Sequence, residues 1–312
     1  MELTHSEVKA AAERIAGRTR PITVAPADNT GTLWFALEFM QHTGSFKARG
    51  ALNFLLAHRE NGTLPQAGVT IASGGNAGLA CAWAARSQGI AATVFLPTTA
   101  PRVKVDKLAS YGADVRLVGT QYADALAASR TYADTTGALL SHAYDNPLIA
   151  AGAGTLMLEI HERIPDLDAV VVAVGGGGLF SGIATAADHY GIRVIAVEPA
   201  RCRALHAALE AGQVVDVDID SIAADSLGAR RASAMALAAA QHYDVDSVLV
   251  DDAAIIAARD ALWREHRIAV EYGAATALAA VSPDAPAFRP ASGARVCVVL
   301  CGANTDPSDL TR

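Results

Sequence analysis

Residues 168–199 read DAVVVAVGGGGLFSGIATAADHYGIRVIAVEP. An apolar run from Ala169 to Val174 ends in four glycines, an Ala-rich stretch of helical length follows, and Gly191 opens a second apolar run that closes on Glu198 and Pro199. Strand, helix and second strand make one βαβ unit, and strands this uniformly apolar belong to a parallel sheet covered on both faces. The alternation recurs in GVTIASGGN (68–76) before AGLACAWAARSQG (77–89), and in AATVFLP (91–97) before VKVDKLASYG (103–112). Near the end, ARVCVVLCGAN (294–304) reads as one more buried strand finishing in glycine. An α/β protein built on open, doubly wound sheet follows.

The flanking segments fit this plan. MELTHSEVKAAAERIAG (1–17) is expected to be a first helix capped by Thr4 or Ser6. After Glu198, ALHAALEAGQVVDVDID (204–220) reads as a helix and an acidic strand-like piece, and SIAADSLGARRASAMALAAAQHY (221–243) as a loop and a helix. Junctions near Gly44 and at Asn146-Pro147 divide the chain into a small βα domain, residues 46–145, inserted into a large domain made of 1–45 and 146–312.

Composition excludes several classes. A net charge of -7 without any Lys/Arg cluster leaves no basic surface to displace counterions, so nucleic acid is not expected as a partner. Glycines or charges interrupt each apolar stretch before the roughly 18 residues of a membrane span. The four cysteines, Cys81, Cys202, Cys297 and Cys301, form no CxxC pair, which speaks against a zinc cluster or a disulfide framework and for a reducing cytoplasm.

Three strand ends and one lysine carry chemistry. In VGGGGLFSG (174–182), four glycines let backbone N–H groups approach an anion and the next helix adds its positive end, which makes a phosphate cradle. A dinucleotide site competes, because Glu198 stands where a ribose-binding acid would. Its glycine spacing fails: the third glycine of GxGxxG falls on Phe180 or Ser181, or the second on Leu179. SGGNAG (73–78) offers a hydroxyl, an amide and backbone donors to a carboxylate or phenolic oxygen, or serves only as a cap through Ser73 or Asn76. Cys301 ends its strand where open sheets place ligands, although a buried cysteine is ordinarily a small hydrophobe. Lys47, in HTGSFKARGALN (42–53), would ordinarily be a solvated cation.

Taken in order, SFKARGA, ASGGN, VGGGGL and CGAN resemble the fold-type II pyridoxal phosphate enzymes, those with the tryptophan-synthase-β-like fold, and within them the threonine/serine dehydratases. The resemblance runs from about Thr19 to Asp306 and includes DNPLIAAGAGTLMLEI, VEP and VEYGAATALAAV. It implies two open parallel-sheet lobes with pyridoxal 5'-phosphate between them. Lys47 would form the Schiff base and take the α-proton, Phe46 would pack beside the ring, Asn76 would bond the ring oxygen and Cys301 the ring nitrogen. Gly175, Gly176, Gly177 and Gly178 would hold the phosphate. The 73–77 loop, with Ser73, Gly74, Asn76 and Ala77, would hold the substrate carboxylate. The implied activity is dehydration and deamination of L-threonine or L-serine to 2-oxobutyrate or pyruvate and ammonia, in a homodimer. A thiol facing the ring nitrogen, in place of a carboxylate, favours prompt β-elimination.

The chain departs from the family pattern at three places. Ala77 replaces a histidine of the substrate loop. Gly74 stands where serine racemases carry their second base, which argues against racemisation. Ala204 offers no side-chain ligand to the cation site that Glu198 would share, so no metal is expected. Other readings are a related β-eliminase, such as a 3-hydroxyaspartate dehydratase with Arg49 or Arg230 on the second carboxylate, a homologue that binds the cofactor without turnover, and last an NAD-dependent oxidoreductase. Ending soon after CGAN, the chain is expected to lack an isoleucine-type feedback domain.

Overall fold

The computed structural model describes residues 2–282 and 286–310. Helix α1 (His5–Ile15) begins with a reciprocal capping box: Glu7 N–H donates to Thr4 Oγ1, and Thr4 N–H donates to Glu7 Oε2. Strands β1 (Val24–Pro26) and β2 (Leu33–Ala36) come next, then α2 (Lys47–Glu60), β3 (Val69–Ala72), α3 (Asn76–Ser87), β4 (Ala92–Leu96) and α4 (Arg102–Ser110). The alternation continues through β5 (Asp114–Leu117), α5 (Tyr122–Thr136), β6 (Leu139–Leu140), α6 (Pro147–Arg163), β7 (Ala169–Ala173), α7 (Gly178–Asp188) and β8 (Arg193–Pro199). Helices α8 (Ala204–Ala211), α9 (Ala224–Leu227) and α10 (Ala234–His242) precede β9 (Val245–Val250), and α11 (Asp252–His266) and α12 (Tyr272–Ala279) precede β10 (Val296–Val299).

Among the described residues these strands form two sheets, one of six strands ordered β1-β2-β10-β7-β8-β9 and one of four ordered β5-β4-β3-β6. All pairings are parallel except β1 with β2. That exception has a simple cause: a short turn, residues 27–32, joins the two strands, and a connection this short permits only a hairpin. Asp28 closes the turn by accepting from the N–H groups of Gly31 and Thr32. The acidic piece 213–220 is not a strand. Its backbone bonds go to scattered partners, Val217 N–H to Arg230 O and Asp220 N–H to Arg201 O, and Asp216 is engaged by Arg231; Asp at alternate positions also disfavours a ladder.

The larger core surrounds β7, β8 and β10, where Val170, Val171, Ile195 and Val298 are fully buried. The smaller core packs Leu52, Phe54 and Leu55 of α2 against Val69, Ile71 and Val94 of the second sheet. Helices α2, α6 and α7 tie the two together. They cross at glycines: a β-carbon on Gly50 would lie 2.6 Å from Ile149 O, one on Gly154 2.6 Å from Gly182 O, and one on Gly182 2.2 Å from Ala150 O.

Arg49 fastens the same crossing. It is fully buried and donates through Nε to Glu38 Oε1 at 2.7 Å and through its Nη1 and Nη2 groups to Glu159. Burial works against its charge, and the Glu38 and Glu159 carboxylates outweigh that, so the guanidinium stays ionised. Arg49 is thereby committed to the fold and has no free donor face for a substrate carboxylate.

Because backbone atoms, and not the ends of flexible side chains, meet at the α6–α7 crossing, Gly182→Ala forces the helices apart. Its urea midpoint should fall by the equivalent of about 1–3 kcal/mol with an unchanged slope; an unchanged midpoint would show that the helices can separate at no cost.

Candidate active site

Between the two sheets, at the C-terminal ends of β3, β7 and β10, lies a cavity of about 520 Å³. Its lining brings together Phe46, Lys47, Ser73, Gly74, Asn76, Ala77, the four glycines 175–178 and Cys301, the residues that the resemblance assigned to cofactor and substrate carboxylate, but neither Arg49 nor Arg230. Arg230 is exposed and is not among the lining residues.

Lys47 is placed by backbone. Phe46 N–H donates to Cys301 O at 3.0 Å and Ser45 bridges to Gly302, so the start of α2 is stitched to the end of β10. The Lys47 Nζ donates to Ala143 O at 2.7 Å and lies 4.7 Å from the centre of the Phe46 ring. Ala143 is itself held by a turn in which His142 Nδ1 accepts from Tyr144 N–H and Asp145 N–H. Burial pushes the lysine down to about 8, against the opposing influence of Cys301 and Glu271. Standing in the first turn of α2, the cation also faces the unfavourable end of the helix dipole.

The glycine loop is shaped by what surrounds it. A β-carbon on Gly176 would lie 2.4 Å from the Tyr144 ring, on Gly178 2.8 Å from Tyr144 O, and on Gly177 2.3 Å from the Ala236 side chain. Gly177 also has φ of +95°, a region that L side chains rarely occupy. The loop is therefore clamped between Tyr144 and α10, and the first-turn N–H groups of α7 face the cavity end. Sequence reading missed Tyr144; only the packing against Gly176 reveals it.

Neither Ser73 nor Asn76 caps α3. Gly75 is its N-cap, without a side-chain bond, which leaves the Ser73 hydroxyl and the Asn76 amide directed at other partners. Asn76 Nδ2 donates to both oxygens of Glu271 at 3.0 Å. Glu271 was legible only as part of the quoted VEYGAATALAAV; the fold buries it against Gly302, and burial raises its carboxyl above the ordinary range. Burial and then the nearby Glu271 carboxylate likewise push the Cys301 thiol upward, so it stays protonated. At the rim, Lys104 of α4 pairs with Asp225 of α9 at 2.8 Å.

Glu198 is tied to the start of α8. Its two oxygens accept from Leu205 N–H and His206 N–H, at 2.8 and 2.7 Å, in the first turn of α8, and Ala204 supplies no ligand. Burial pushes the carboxyl up to about 7, against the pull of these two donors.

The lysine environment has a measurable consequence. Below about pH 8 the folded protein carries a charge its surroundings disfavour, whereas the unfolded chain keeps that proton to the ordinary value of 10.5. The contribution of Lys47 to stability is therefore least favourable below pH 8 and improves as pH rises toward 10.5. In urea unfolding of ligand-free protein, the stability of Lys47→Met relative to wild type should fall between pH 7 and pH 10. A difference independent of pH would place Lys47 in a solvated setting.

Residues 15–302 match the family model described as pyridoxal-phosphate dependent enzyme. An L-threonine ammonia-lyase of Geobacter sulfurreducens is 36% identical over 281 residues, which cover 89% of this chain and 69% of the relative. A serine racemase of Arabidopsis thaliana is 34% identical over 287 residues, covering 89% of this chain and 85% of that one. Among solved structures, maize serine racemase superposes with a TM-score of 0.92 at 29% identity, covering 100% of this chain and 96% of its own. Since the match takes in both sheets and the cavity between them, the chain belongs to the pyridoxal-phosphate dependent enzymes, with the tryptophan-synthase-β-like fold.

Proposed function

We propose that this enzyme dehydrates and deaminates L-threonine and/or L-serine, giving 2-oxobutyrate or pyruvate and ammonia. The observation that carries the reading is a lysine with a lowered pKa sharing one cavity with a neutral thiol and a clamped glycine loop.

The residues fit pyridoxal phosphate. Any β-carbon at Gly176, Gly177 or Gly178 would collide with its neighbours, and the loop offers backbone donors at a helix N-terminus, as a phosphate requires. In this reading Gly175 to Gly178 hold the phosphate, Phe46 lies beside the ring, Asn76 donates to the ring oxygen and Cys301 faces the ring nitrogen. When bound, the cofactor supplies an electron sink for the α-carbon of an amino acid. Lys47 would be the residue that holds the cofactor at rest, and its Nζ would accept the substrate's α-proton, which its lowered pKa permits near neutrality. Ser73, with the N–H groups of the 73–77 loop, holds the substrate carboxylate. Both oxygens of Glu198 are engaged by backbone N–H groups and Ala204 carries no side-chain ligand, so neither a chelator nor Mg²⁺ should shift the thermal midpoint or the rate.

Residues 46–145, which contain the whole four-stranded sheet, are the small domain of this reading, and 1–45 with 146–312 the large one. A cytoplasmic location accords with four buried, free cysteines, and among the described residues no helix is long and apolar enough to cross a membrane; the homodimer of this reading rests on the family resemblance alone.

Racemisation, named for some relatives, calls for a proton carrier on the face opposite the lysine, and Gly74 offers none. A dicarboxylic substrate such as 3-hydroxyaspartate is the second reading, favoured by Lys104 on the cavity wall, although Asp225 engages its amine.

The deciding experiment follows the visible absorption of the purified enzyme and 2-oxo acid release with L-threonine, L-serine and 3-hydroxyaspartate, alongside chiral analysis of the remaining serine. Wild type should release oxo acid, and Lys47→Ala should lose about 100- to 10,000-fold in rate. Accumulating D-serine without oxo acid would make the protein a racemase, and bound cofactor without any product would make it a binding homologue.

A further inference from the structure

The carboxamide of Asn76 has an oxygen and a nitrogen of nearly equal size, and which of them faces the site is decided by its partners. Those partners form a chain with unambiguous ends. Lys107 Nζ, a donor only, gives a 2.8 Å bond to Asn304 Oδ1. Asn304 Nδ2 must then face the other way, where it donates to Thr43 O and to Asn76 Oδ1, each at 2.7 Å. With its oxygen occupied, Asn76 turns its NH₂ to the Glu271 carboxylate, an acceptor, at 3.0 Å from each oxygen. Because the two oxygens of one carboxylate lie close together as seen from Nδ2, they share a single hydrogen, and the other proton of that NH₂ remains for a ligand in the cavity.

Backbone strain points to the same residue. Thr43 is a non-glycine residue at φ of +64°, buried, with its hydroxyl lacking a hydrogen-bond partner among the described residues. Such a conformation is costly and persists where the surroundings require it. What it achieves here is to aim the Thr43 carbonyl at Asn304. Gly44, at φ of +75°, follows; a β-carbon there would lie 3.1 Å from Asn304 Oδ1.

We infer that Asn304 is a positioning residue: held by Lys107 and by the strained Thr43 carbonyl, it orients Asn76 so that an N–H donor, and not an oxygen, faces the cofactor. The inference rests on Asn76 as the partner of the cofactor's ring oxygen. It also assigns a purpose to Lys107, an exposed residue of α4, and so connects the small sheet to the site across the cleft.

Two substitutions separate this role from a structural one. Asn304→Ala removes the guide, whereas Asn304→Asp keeps an acceptor for Lys107 and deletes both donors. An aspartate would draw the Asn76 NH₂ toward itself and turn its oxygen to the cofactor. Titrating cofactor-free protein with pyridoxal phosphate should show about tenfold weaker binding for Asn304→Ala, the worth of one hydrogen bond to a charged or buried partner, and a larger loss for Asn304→Asp. The absorption maximum of the bound cofactor should move in the same order, and Asn76→Ala/Asn304→Asp should bind no worse than Asn76→Ala alone. Equal loss of thermal stability in both Asn304 variants, with unchanged affinity and spectrum, would overturn the inference and leave Asn304 a structural residue. Asn76→Ala serves as the separate control. If it is impaired while Asn304→Asp behaves as wild type, the positioning role fails and Asn76 stands; if Asn76→Ala itself binds and absorbs as wild type, the reading of Asn76 fails and the inference with it.

Discussion

The active-site geometry depends on three helices that meet backbone to backbone. Lys47 begins α2, the glycine loop begins α7, and α6 lies between them, touching α2 at Gly50 and Gly152 and α7 at Gly154 and Gly182. Side chains at such crossings would adjust by rotamer changes; backbone atoms separated only by hydrogen cannot. The distance from lysine to glycine loop is therefore set by covalent geometry and close packing, and Arg49, pinned between Glu38 and Glu159, resists shear along the same stack.

Within that frame the site works by withholding charge. Burial disfavours the ammonium of Lys47, keeps the Cys301 thiol protonated and raises the Glu271 carboxyl, three ionisable groups each pushed toward its neutral form. A lysine so placed can serve as a base near neutral pH, which a solvated lysine does poorly. The polar chain from Lys107 through Asn304 and Asn76 to Glu271 is the complement: it runs from the donor-only Lys107 amine to oxygens of Glu271 that accept, and along it the direction of every hydrogen bond is fixed.

Much of this was legible beforehand because it is local. Strand–turn–helix junctions, glycine-rich after β3 and β7 and proline-bearing after β4, announced these strands and the following helices, since apolar runs and turn residues lie adjacent in sequence. Short or half-exposed strands escaped notice: β5 carries Asp114 and Arg116 among its four residues, and β1 joins its sheet only by pairing with β2. The acidic stretch 213–220 misled for the opposite reason, because alternation of Val and Asp imitates a strand while its hydrogen bonds go elsewhere.

The sequence alone determined the parallel α/β architecture and the four ordered motifs that supply lysine, asparagine, glycine loop and thiol, because each motif depends on neighbours along the chain. Tertiary structure decided which distant groups tune them. Tyr144 against Gly176, Glu271 and Asn304 on Asn76, and the withdrawal of Arg49 into a buried ion pair all join residues far apart in sequence. Such contacts exist only once two sheets close on one cleft, for desolvation and hydrogen-bond direction are properties of that enclosure and leave no periodic trace in the chain.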